Sequence, residues 1–287
     1  MRPPDGLLPS SSEPSPSIGK ELQIYHEQME IAPDRFNCLH RRCCESFAQH
    51  DLQPPRDVVG ASEYYQARSY LNHDIPRLVV VSLSAPATDP NEEPTESKSL
   101  GLHWRRTLAT VRSILDPFLY DDLPEPARYS DDESTEEVQQ LFVHLRTAKC
   151  SSQQTEELGQ IYEHCGRYLG DELRIAEPDV IVTQGLQARW QLERNFLNLR
   201  VIGRIASDIG SRFDIDLFEI DMGENKAMWL PLFHPATRNK TFNNQAGKPV
   251  GPPSELGISQ DAQSARRENL IACGTFIHAW MHTSERI

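Results

Sequence analysis

Long apolar runs are missing from this chain: none approaches the roughly 18 residues that a membrane-spanning helix needs, so no membrane partner is expected. Positive charge is scarce as well. Lysine and arginine number 29 against 42 acids, for a net charge of −13, which excludes a uniformly basic surface that holds nucleic acid by charge alone. The start, Met1 to Ser11 (MRPPDGLLPSS), has no basic region followed by an apolar one, so no signal peptide is expected. A cytoplasmic setting follows as the expectation. There, six cysteines argue for thiols or metal ligation rather than a disulfide framework. With 287 residues the core needs no staples.

The charge that is present is unevenly placed. Asp121 to Val138 holds eight carboxylates and one arginine and reads as a solvated acidic insertion. Arg189 to Arg212 holds five arginines against two acids, so local charge leaves DNA open as a partner. Residues 1–20, rich in proline and serine, read as a disordered tail, and residues 21–287 as a single domain.

The centre of that domain is Leu141 to Gly185, which reads as strand, helix, strand. A strand is expected from Leu141 to Lys149, and Ser151 caps a helix with Gln154 as its capping-box partner. Leu158, Ile161, Tyr162, Cys165, Tyr168, Leu169 and Leu173 recur at helical spacing on one buried face. Pro178 ends the helix, and Asp179 to Gln184 is a short buried strand. Around this βαβ unit lie a strand at Leu78 to Leu83 and helices at Trp104–Leu119, Leu186–Leu197 and Ser264–His282. A helix is also expected to begin at Ile24 to Met29. A further strand, Met228 to Phe233, contains Pro231, which predicts a place near a sheet edge. The fold class is α/β: a three-layer α/β/α sandwich with a central, mostly parallel sheet of about four strands. Polar loops after Leu83 and Phe233 stand where such sheets bind ligands.

Cys38, Cys43 and Cys44 share one segment, Cys150 and Cys165 belong to the βαβ unit, and Cys273 lies on an apolar helical face as a core residue. Two cysteines from a loop and two from a helix and its mouth could make a four-thiolate site, or all could be plain thiols. The fourteen residues between Cys150 and Cys165 suit a larger cluster better than zinc.

Three motifs taken together resemble the iron–sulfur branch of the uracil-DNA glycosylase superfamily, nearest its families four and five. The first is Lys149, Cys150, Cys165, Tyr168, Leu169, Glu172, Leu173, Pro178, Val180, Ile181 and Gly185. The second, SAPATDP after an apolar strand, is similar to the first active-site motif of family five. HPATRNKTF is similar to the His-Pro motif, with His234, Pro235, Asn239 and Thr241 aligned. The resemblance runs from about Asn37 to Asn244. It implies a [4Fe–4S] cluster on Cys38, Cys150, Cys165 and either Cys44 or Cys43.

The resemblance also implies chemistry. A flipped nucleotide loses its base by hydrolysis of the N-glycosidic bond. His234 would donate a hydrogen bond to the departing anion, and Asp89 would hold the attacking water or simply cap its loop. Asn239 would fix the loop or the base edge. Arg238 and Lys240 would hold phosphates, and Phe242 would fill space in the duplex. Where the family carries Gly and often an acid, this chain has Leu83 and Ser84. RTAKC stands where uracil-specific relatives carry a base-reading asparagine, which favours a bulkier modified pyrimidine of phage DNA, and so antiviral defence, over uracil repair. The expected protein is a monomeric, monofunctional DNA glycosylase. The alternatives are a catalytically inactive nucleic-acid-binding module of the same fold and a zinc-stabilised α/β hydrolase.

Overall fold

Four of the strands are buried along nearly their whole length, which suits a sheet covered on both faces. The structure is a computed structural model that describes residues 18–32, 36–48, 75–83, 102–119, 138, 141–150, 158–206, 211, 214–223, 225–235 and 260–283. The strands are β1 (Leu78–Ser82), β2 (Phe142–Arg146), β3 (Val180–Gln184), β4 (Leu199–Ile205), β5 (Ile215–Asp221) and β6 (Lys226–Leu232). The helices are α1 (Ile18–Gln28), α2 (Arg41–Ala48), α3 (Leu102–Leu119), α4 (Leu158–Ala176), α5 (Leu186–Asn195) and α6 (Gln260–Met281). One six-stranded sheet runs in the order β2-β1-β3-β6-β5-β4. Its first four members are parallel, and β5 and β4 extend it antiparallel.

Alternation along each strand divides the core in two. Leu78 and Val80 of β1, Val180 and Val182 of β3, and Met228, Leu230 and Leu232 of β6 face α3 and α6. Val79, Val81, Ile181, Ala227 and Trp229 face the opposite way, towards α4, α5 and Leu22 of α1. The architecture is therefore α/β with helices on both faces, as the sequence pattern predicts. α3 and α6 approach closely: a Cβ on Gly274 would lie 2.1 Å from the Ile114 carbonyl oxygen. Among the described residues no helix is long and apolar enough to cross a membrane.

Three expectations change, and one stretch of charge is seen in its setting. The sheet has six strands rather than about four, because β4 and β5 form an antiparallel extension whose mixed composition hides the strand pattern. β6 is an interior strand between β3 and β5, not an edge. Its proline is tolerated because pairing with β5 stops at Trp229, leaving Pro231 opposite Thr183 of β3 alone. The arginine-rich stretch is not a bare cationic surface. Arg200 pairs with Glu219 at 2.9 Å, Arg204 with Asp216 at 2.5 Å and Arg189 with Glu193 at 2.8 Å. Finally, α1 begins at Ile18, inside the segment read as tail. The expected Ser151–Gln154 cap, the long loops after Leu83 and Pro235, and the acidic insertion up to residue 137 lie outside the described residues.

Candidate functional site

The order of the sheet decides where a ligand could sit. The chain leaves β1 for β2 on one side, and leaves β3 for the β4–β6 half on the other. The carboxyl ends of β1 and β3 therefore lie at a topological switch point, the place where open α/β sheets form a crevice. Leu83 follows β1, Gly185 follows β3 and His234 follows β6, and the three meet. A Cβ on Gly185 would lie 3.3 Å from His234 Cβ and 3.7 Å from Leu83 Cδ2. Gly185 has φ +103°, a conformation that an L side chain adopts only with strain. The glycine thus lets the His234 segment lie directly against the end of β3, and its amide donates to the Leu232 carbonyl at 2.8 Å.

Helix α3 ties this corner together. Arg106 Nη1 donates to the Pro235 carbonyl at 3.2 Å, and Thr107 Oγ1 donates to Gln184 Oε1 at 3.0 Å. One helical turn therefore holds both the residue after His234 and the last residue of β3. His234 is half-buried, and burial pushes its imidazole below the usual 6.5. A neutral ring is thereby favoured at neutral pH. Ser82 and His144, on neighbouring strands, share a 2.7 Å hydrogen bond close by.

The cysteines form a second centre. Cys38, Cys44, Cys150 and Cys165 share one buried cluster with Tyr25, Phe36, Ile161, Tyr162 and Tyr168. They come from the turn before α2, from α2, from the segment after β2 and from α4. Cys165 accepts the Lys149 backbone N–H at 3.4 Å. A hydrogen bond from the Cys150 thiol favours its ionised form most, while Cys150, the donor, is pushed up. Burial pushes the Cys38 thiol up. Cys43 points elsewhere: it is exposed, with Sγ 3.6 Å from His164 Nε2. In donor type and in their shared burial these four thiols suit a thiolate-bound cluster. Among the described residues no group of three or more His, Cys, Asp or Glu is posed to hold a metal ion.

Beside the cysteines lies a buried ionic chain. Glu172 Oε2 accepts from Lys149 Nζ at 2.5 Å, and Glu172 Oε1 lies 2.6 Å from His26 Nε2. Lys149 Nζ also donates to the Arg146 carbonyl. Burial acts to raise the Glu172 carboxyl, but Lys149 and His26 outweigh it and hold it below the usual carboxylate range. Tyr25 adds a 3.0 Å bond to Asp171. Together these contacts dock α1 on α4.

No protein-family model matches the chain, and no curated protein matches it. The fold and the two centres therefore stand on their own geometry.

Of the residues singled out by sequence, the structure brings together Cys38, Cys44, Cys150 and Cys165, and separately His234 and Gly185. Ser84, Asp89, Arg238, Asn239, Lys240 and Phe242 lie outside the described residues. Gln184, Thr107, Arg106 and His26 escaped the sequence reading. Gln184 alone carried a signal, being a polar residue that closes an apolar strand immediately before a glycine.

Proposed function

We propose that the chain is a monofunctional DNA glycosylase that hydrolyses the N-glycosidic bond of a flipped, damaged or modified base. The observation that carries this reading is the meeting of Leu83, Gly185 and His234 at the switch point of a parallel sheet. Chemistry on a base inside a duplex requires the base to leave the stack, and a crevice over the strand ends is the place to receive it. As the bond breaks, the base becomes anionic. A neutral His234 donates a hydrogen bond to that charge at the moment it develops. Arg106, through Pro235, keeps the imidazole segment against β3.

The remaining roles come with the resemblance. Asp89 holds the attacking water and Ser84 lines the same loop. Asn239 fixes the loop or the base edge, Arg238 and Lys240 hold phosphates, and Phe242 fills the duplex. Cys38, Cys44, Cys150 and Cys165 would carry a [4Fe–4S] cluster, whose part is to tie the segment around α2 to the βαβ unit rather than to exchange electrons. The protein acts as a monomer on DNA, either on a modified pyrimidine of phage DNA in defence or on a deaminated base in repair.

The test is direct. Purified protein is brown, with broad visible absorption; colourless protein holding zinc refutes the cluster. Oligonucleotides carrying uracil, hypoxanthine, xanthine or modified cytosines are incubated with it, then treated with alkali. Strand breaks at the modified base are expected. DNA bound but left intact by every substrate supports the inactive binding module instead.

A further inference from the structure

The last residue of β3 carries a feature that packing alone does not explain. Gln184 is completely buried, and its amide is half satisfied. Thr107 Oγ1 donates to Oε1 at 3.0 Å, while Nε2 has no hydrogen-bond partner among the described residues. A buried donor left unpaired costs about 1–3 kcal/mol. A leucine there would fill the same space without that cost, as Val182 and Leu232 do on the same face. Gln184 is followed directly by Gly185, against which His234 packs. The helical turn that orients the Gln184 amide through Thr107 also holds Pro235 through Arg106. A buried polar group left unsatisfied in a native fold calls for a reason, and a role in function is one of them.

We infer that Gln184 reads the base: Thr107 fixes the amide so that Nε2 donates to a carbonyl oxygen on the edge of the flipped nucleobase. This rests on the glycosylase reading and narrows it. A donor rewards an acceptor and repels another donor. The substrate class is therefore a base with an oxo group at that edge, meaning a deaminated base or a 5-modified uracil. A cytosine derivative would present its amino group instead.

The experiment uses the full, iron-loaded chain on duplexes containing uracil, 5-hydroxymethyluracil, hypoxanthine or 5-hydroxymethylcytosine. Wild type excises the oxo bases faster than the cytosine derivative. Gln184→Leu loses roughly 10- to 100-fold in kcat/KM on oxo bases, with an unchanged or raised melting temperature, which a merely structural glutamine would not give. Gln184→Glu shifts preference towards 5-hydroxymethylcytosine. Unchanged rates and preference in both variants overturn the inference while leaving the glycosylase reading standing. If wild type excises nothing, the side-chain amide resonances of Gln184 are followed during titration with free uracil, hypoxanthine and cytosine. A shift with the first two alone upholds base reading in a protein without glycosylase activity. No shift overturns it.

Discussion

Glu172 shows what a single residue does here. It is buried with Lys149 and His26 on its two oxygens, and removing one member of a buried ionic set leaves an uncompensated charge. Glu172→Gln is expected to lower stability by about 3–5 kcal/mol, read from urea unfolding. The wild-type pH dependence follows from the depressed carboxyl. The contribution of Glu172 is complete above the unfolded value near 4.5 and is lost as pH falls below it towards the native value. The variant should lose that part of the acid slope. His234 behaves in the opposite chemical sense. With its native pKa pushed below 6.5, the neutral ring persists as pH falls through 6.5. For the proposed excision, an acid limb governed by this residue therefore lies below that value, and His234→Ala is expected to cost roughly 10²–10³ in kcat. A limb centred at or above 6.5 would show that another group controls the rate.

At the scale of elements, α3 and α6 pack with almost no space between them. Gly274 faces the Ile114 carbonyl with no room for a Cβ, and the obstacle is backbone rather than a movable side chain. Gly274→Ala is expected to force the helices apart and to destabilise by about 1–3 kcal/mol, measured by thermal unfolding. Because Arg106 and Thr107 of the same helix hold Pro235 and Gln184, the proposed activity should fall with stability at temperatures well below melting. Strands β1, β2, β3 and β6 were legible because burial on both faces or clear apolar content marks them. β4 and β5 were not. β4 has no buried residue and the alternation of β5 is broken in its middle, and charges such as Arg200, Arg204, Asp216 and Glu219 make sense only once the strands are paired.

The whole molecule joins two centres through α4 and β3. α4 carries Cys165 and Glu172 and leads into the strand that ends at Gln184 and Gly185. For the proposed cluster, loss of iron should therefore do more than bleach colour. Chelation under oxidising conditions, or Cys150→Ser, is expected to loosen α1, α2 and the amino-terminal part of α4, while the β1–β3–β6 sheet retains its structure. Amide hydrogen exchange would register this as protection lost in those helices and kept in β3. Uniform loss across the sheet would mean instead that the cysteines hold the entire fold.

The sequence by itself determined the α/β class, the four parallel strands, the buried face of α4 and the separation of Cys273 from the other cysteines. Each follows from local periodicity or composition. It also pointed to His234 and Gly185 as notable. Only the tertiary structure decided that Cys44, not Cys43, lies with the buried thiols, since adjacent residues on a helix differ in exposure by about 100° of rotation. Only the tertiary structure paired Glu172 with His26 across 146 residues, drew the arginines of β4 onto the acids of β5, and left one half of the buried Gln184 amide open. Those contacts depend on strand order, and no local pattern in the chain encodes it.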